Sequence, residues 1–87
     1  MPTDMIKWNE ELLEEFNLAY AKNYTALYNG TMKQDNSLID IYNEAIYNNP
    51  VLLVFLRLWN VYRQDACFSD REIVAFMVTF RSYVNEI

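Results

Sequence analysis

The scarcity of chain-breaking residues is the feature that most restricts the fold of this chain. Its 87 residues include one glycine and two prolines. An all-β domain of this length needs many tight turns, and glycine and proline are residues that such turns favour. The sequence therefore predicts few, long elements. We expect an all-α fold, a compact bundle of three to four antiparallel helices with short connectors, forming a single domain over residues 1–87.

Capping residues and a glycine set the expected limits of the first two helices. The first helix begins either near residues 3–4 or, with acidic residues better placed in its first turn, at Asn9. Gly30 is expected to end it. Ser37 is a suitable cap for a second, shorter helix, which stops near Asn48.

Two stronger signals start the third and fourth helices. Asn49 followed by Pro50 supplies a cap and then a proline at the first helical position, where its missing N–H costs nothing. Ser69 and Glu72 match a capping box, in which each side chain accepts a hydrogen bond from the backbone of the other. The fourth helix is expected to run from residue 70 almost to Ile87. Its core stripe is predicted to consist of Ile73, Phe76, Met77, Phe80, Tyr83, Val84 and Ile87.

The third helix carries apolar residues around almost its full circumference, with Arg57, Asn60 and Arg63 on its polar side. Such a helix is either central in its fold or shared with another chain, and a domain this small has little room for a wholly central helix. We therefore expect Leu53 and Leu56, which lie beside Asn60, to face a partner. The alternative is that the other three helices surround this one.

A second candidate surface lies on one flank of the first helix, where Tyr20, Tyr24 and Tyr28 are four residues apart. Tyrosine is enriched at interfaces because it offers a large rigid contact area with a polar tip. Rows of tyrosine also border ordinary cores. The sequence leaves both interpretations open.

Acidic residues form a ridge on the first helix, opposite its apolar side. Glu10, Glu11, Glu14 and Glu15 make two pairs spaced by four residues. Either they are a solvated face, or they dock on a basic surface. The net charge of −5 lies entirely in the first half, because residues 1–44 hold eight acids and three lysines. This balance disfavours direct binding to nucleic acid or to an anionic membrane and favours a basic protein partner.

The residue types needed for most catalytic and metal sites are scarce. The chain has no histidine, one cysteine and one glycine, so a zinc site, a phosphate-binding loop and a histidine-activated Cys67 nucleophile are disfavoured. We expect no cofactor, no metal and no enzymatic activity. A lone cysteine without a secretory signal suits a reducing compartment, the cytoplasm. The longest apolar run, residues 51–56, is too short to span a membrane.

These observations favour a non-enzymatic protein-binding module that associates with itself as a homo-oligomer or occupies a site on a larger protein through helix three and the tyrosine flank. A glycine-poor composition in a chain this short would suit a small viral or bacteriophage inhibitor of a host protein. Two alternatives remain. One is an acidic nucleic-acid mimic, in which Asp40 and Glu44 join the acids of the first helix to block a basic cleft. The other is an accessory subunit of an enzyme.

Overall fold

A computed structural model describes residues 10–63 and 68–85. Within these ranges the chain forms four helices, α1 (Glu10–Tyr28), α2 (Ser37–Asn48), α3 (Pro50–Arg63) and α4 (Asp70–Asn85). The prediction of an all-α bundle is confirmed. Asn9, the predicted cap of the first helix, lies outside the described residues, as do Cys67 and Ile87.

The glycine ends α1 as the sequence predicted. Gly30 has a φ of 77°, a left-handed conformation that glycine adopts without steric cost. Its N–H donates to the Leu27 carbonyl at 3.2 Å, and the N–H of Met32 donates to the Ala26 carbonyl at 3.0 Å. These two bonds satisfy carbonyls that the end of a helix leaves without partners. The chain is thereby turned into the connector that precedes α2.

Both strong capping signals are confirmed. The Asn49 side-chain oxygen accepts hydrogen bonds from the backbone N–H groups of Val51 at 3.1 Å and Leu52 at 3.2 Å. The Ser69 N–H donates to a Glu72 carboxylate oxygen at 2.9 Å, and the Glu72 N–H donates to the Ser69 hydroxyl at 3.3 Å. Local chemistry therefore decides where α3 and α4 begin.

The predicted cap of α2 was wrong by one position, because the residue before Ser37 occupies the N-cap position. Ser37 is the first helical residue, and Asn36 before it has helical backbone angles and makes no side-chain capping bond. The Asp35 carboxylate accepts instead, from the Ser37 N–H at 3.1 Å and from the Ser37 hydroxyl at 2.6 Å. These hydrogen bonds to the charged form hold the pKa of Asp35 below its ordinary value. Because Asn36 already has helical angles, the capping oxygen comes from the residue before it.

The centre of the fold is α4, not α3. Val74, Ala75, Phe76, Met77, Thr79 and Phe80 are all buried, and at 100° per residue they cover nearly the whole circumference of the helix. Val74, predicted to lie off the core stripe, is fully buried, whereas Ile73 on the predicted stripe is only partly buried. The side chain of Val84 lies outside the described part. Both α1 and α2 pack closely on α4.

Helix α3 meets α4 through aromatic rings. Phe55 lies against Phe80 with ring centroids 5.7 Å apart, and Trp59 stacks on Phe76 at 5.1 Å. From α1, Phe16 reaches Phe55 at 4.5 Å. Aromatic pairs at such separations contribute beyond the area that they bury. This cluster fixes which side of α3 turns inward and therefore which side is left outside.

Candidate interaction surface

The outer side of α3 carries a row of apolar side chains. Val51, Val54 and Val61 are exposed, Val61 to 76 %. Leu58 lies between them and is only partly buried. The spacing of three, four and three residues places all four on one side of a helix. In this row, the α3 outer stripe, Val54 and Val61 point away from the residues that α3 buries, whereas Leu58 packs against the border of the core.

The only charge on this side of α3 is positive. Arg57 is exposed and lies between Val54 and Val61 along the helix. The α3 sequence contains no acidic residue. The surface is therefore apolar with a cation at its edge.

The sequence predicted that α3 has more apolar surface than the core can bury. The set of residues that the structure leaves exposed differs from the predicted pair. Leu56, predicted to face a partner, is 9 % exposed and belongs to the core. The reason is that Leu56 follows Phe55 and Leu52 on the inward side of the helix. Leu53 is 36 % exposed and lies at the edge of the outer side.

The predicted polar side of α3 is only partly polar in the structure. Asn60 is partly buried, and its side-chain oxygen has no hydrogen-bond partner among the described residues. Arg63 is the last residue of α3 and its side chain lies outside the described part. Of the polar residues predicted on this helix, Arg57 alone has a side chain described as exposed.

The predicted tyrosine surface is divided between the border of the core and solvent. The ring of Tyr20 packs on Trp59 with centroids 4.6 Å apart, and its hydroxyl donates a long 3.5 Å hydrogen bond to Glu72. Tyr24 lies beside Tyr20 at 6.2 Å and packs against the core. Tyr28 is exposed, with the Arg71 guanidinium 5.3 Å from its ring centre. Tyr20 and Tyr24 therefore border the core, as the alternative interpretation has it, whereas Tyr28 is exposed.

The acidic side of α1 surrounds an exposed leucine. Glu11, Glu14 and Glu15 are exposed, and Leu18, 65 % exposed, lies among them on the same side of the helix. The side chain of Glu10 lies outside the described part. The acids were predicted from the sequence, but the exposed Leu18 was not. Its position opposite buried Phe16 and Leu27 on a helical wheel was the signal that could have identified it.

The outer stripe of α3 was recoverable in the same way. Phe55 and Trp59 are the largest side chains of the helix and are four residues apart, which marks the inward side. On a wheel anchored on these two rings, Arg57 and Val61 lie opposite them, Val54 lies next to Val61, and Val51 and Leu58 lie closer to the rings. The number of apolar residues alone does not indicate this division, because it gives Phe55 and Trp59 no more weight than the valines.

The arrangement of side chains in the described part of the chain also bears on metal binding, on membrane crossing and on the ionisation of one tyrosine. No group of three or more acidic or cysteine side chains there is arranged to hold a metal ion. None of the four described helices combines the length and the apolar character needed to cross a bilayer. Burial raises the pKa of the Tyr42 hydroxyl, whose ring packs edge-on against Phe76 at 6.2 Å.

The arrangement is therefore two unlike surfaces on one bundle, an apolar stripe with a cation on α3 and an acidic surface around Leu18 on α1. Comparison of the chain with protein-family models, with curated proteins and with solved structures found no match.

Proposed function

We propose that this protein is a non-enzymatic module that binds another protein through the α3 outer stripe. The observation that supports this is the exposure of Val51, Val54 and Val61 in one row on a helix whose other side already fills the core. Exposed apolar residues scattered singly are ordinary, but a continuous row at helical spacing is the pattern by which helices dock on a partner.

The partner should present an apolar groove or helix with carboxylates at its border. Burying the valines supplies the affinity, and Arg57 supplies the preference for acidic neighbours. By occupying a site on that partner, the chain would inhibit the partner or act as a scaffold for it without catalysing a reaction. A cytoplasmic location and a viral or bacteriophage origin remain part of the proposal.

A photo-crosslinking side chain at position 61 tests the proposal, with the same group at exposed Glu44 on α2 as the matched control. We expect a specific crosslinked protein from position 61 alone. The purified partner should then bind the wild-type chain in calorimetry and lose affinity at least about tenfold with Val61→Asp. Equal crosslinking at both positions, or unchanged affinity in the variant, would contradict the proposal.

Nucleic-acid mimicry is the second candidate because Glu11, Glu14, Asp40 and Glu44 are all exposed. Leu18 argues against it, since an exposed leucine among the acids has no counterpart in a phosphate backbone. Mimicry predicts binding that collapses with rising salt and is lost on Glu14→Lys with Glu15→Lys. An α3 interface predicts binding that survives both changes.

A further inference from the structure

We propose that the partner of the α3 outer stripe is the acidic side of α1 in a second copy of this chain, so that copies join head to tail. The inference rests on the proposed function and names the molecule that binds the α3 outer stripe. The contact joins α3 of one copy to the surface around Leu18 of the next.

The α1 surface has the shape that a helix partner needs. Glu11, Glu14, Leu18, Ala21 and Thr25 are all exposed and follow one another at spacings of three and four residues. They form one row, the α1 outer stripe, along the side that faces away from the core. Its residues after Leu18 are small, which lets the backbone of a partner helix approach closely.

The two stripes complement each other in charge. The α3 outer stripe has Arg57 at its edge and no acid on its helix. The α1 outer stripe has Glu11 and Glu14 in the row and Glu15 beside it, against a single base, Lys22. Pairing α3 with α1 therefore brings opposite charges together.

The symmetric alternatives are less favourable. A two-fold pairing of α3 with itself brings Arg57 near its own copy with no acid on either helix to separate them. A two-fold pairing of α1 with itself leaves the apolar residues of the α3 outer stripe uncovered. Because the favoured contact joins two different surfaces, it is heterologous, and it repeats from copy to copy.

The size of the contact sets the expected strength. The 14 residues of α3 extend about 21 Å along the helix axis. One helix pair of that length buries less than the roughly 800 Å² per partner of a standard interface. We therefore expect weak, concentration-dependent association rather than a permanent oligomer.

Sedimentation velocity on the full chain tests the inference, over concentrations from about 10 µM to about 1 mM, where a contact below standard size associates. Val61→Asp disables the α3 stripe and Leu18→Asp disables the α1 stripe. Both positions are exposed, so the fold should tolerate the changes, and circular dichroism checks this. Tyr47→Asp, at an exposed aromatic on α2, is the matched control.

The wild-type chain and the Tyr47→Asp control should gain mass with concentration. Each of the other two variants should stay monomeric alone. Their equimolar mixture should form a one-to-one dimer and nothing larger, because it restores one intact α3 stripe and one intact α1 stripe. Arg57→Glu should weaken wild-type association at least about fivefold through like-charge contact.

Three results would overturn the inference. A wild-type chain that is monomeric throughout the range shows that copies do not join. Association lost with Val61→Asp but kept with Leu18→Asp shows that α3 pairs with itself. A mixture of the two variants that remains monomeric shows that the two stripes do not meet. None of these results contradicts the proposed function, which depends on a specific crosslink from position 61 and on the loss of affinity with Val61→Asp, whichever protein is captured.

Discussion

Replacing Thr79 by valine tests the one buried polar side chain of the described core. Thr79 is 1 % exposed. Its hydroxyl accepts a hydrogen bond from the Asn23 amide at 2.8 Å and donates to the Ala75 carbonyl at 2.7 Å. The first bond joins α1 to α4 across the bundle. Valine has almost the same shape, so Thr79→Val removes the hydroxyl without opening a cavity.

The expected loss follows from which partner is left unsatisfied. The Ala75 carbonyl is also the acceptor that helical geometry assigns to the Thr79 N–H, so the bond to the hydroxyl adds little. The Asn23 amide loses its partner, but it is only partly buried and water can reach it. A net loss of about 1 kcal/mol is therefore expected. For a chain of this size that lowers Tm by about 4–8 °C.

A double-mutant cycle measures the bond itself. Urea unfolding of Thr79→Val, Asn23→Ala and the double variant should give a coupling free energy of about 1 kcal/mol. Thr79→Ser keeps the hydroxyl and should keep the coupling to Asn23 while losing the contribution of one methyl group. Coupling indistinguishable from zero, or a Thr79→Val chain as stable as the wild type, would refute the reasoning.

Three further predictions concern the helix ends and the core border. Asn49→Ala removes the acceptor for two backbone N–H groups of α3 and should cost about 1 kcal/mol in urea unfolding, whereas Asn49→Asp should cost little. Ser37→Ala should raise the pKa of Asp35 towards its ordinary value, measured from the carboxyl chemical shift against pH; an unchanged titration would show that Ser37 is not the cause. The pKa of Tyr42 is raised in the folded state, so its contribution to stability is present below the ordinary tyrosine pKa of about 10 and is lost as pH rises through the folded value. Tyr42→Phe should remove that part of the alkaline loss of stability, and an identical alkaline profile would contradict the assignment.

Sequence reasoning succeeded where a structure depends on a few neighbouring residues. The caps at Asn49 and Ser69 and the stop at Gly30 each depend on backbone groups within four residues, so their residue types were sufficient. The predicted start of α2 was one residue off because Asp35 and Ser37 are both good capping residues, and only the backbone angles of Asn36 decide between them.

The choice of central helix could not be made from apolar content. The longest apolar run in α3, residues 51–56, is matched in length by residues 73–78 in α4. What differs is the burial, because α4 has buried residues around nearly its whole circumference, whereas α3 buries Leu52, Phe55, Leu56 and Trp59 on one side. The apolar surplus of α3 was correctly identified, but its exposed side depends on where the rings of Phe55 and Trp59 point.

The position of α4 has a consequence for how the chain reaches its native state. Helix α4 contacts each of the other three helices, and it is the last of the four to leave the ribosome. Until it emerges, Phe16, Phe55 and Trp59 have no Phe76 to close over them. A nascent chain that ends before residue 70 therefore lacks the helix that covers these aromatic side chains. Apolar surface exposed in this way promotes aggregation and is the kind of surface that chaperones bind during synthesis.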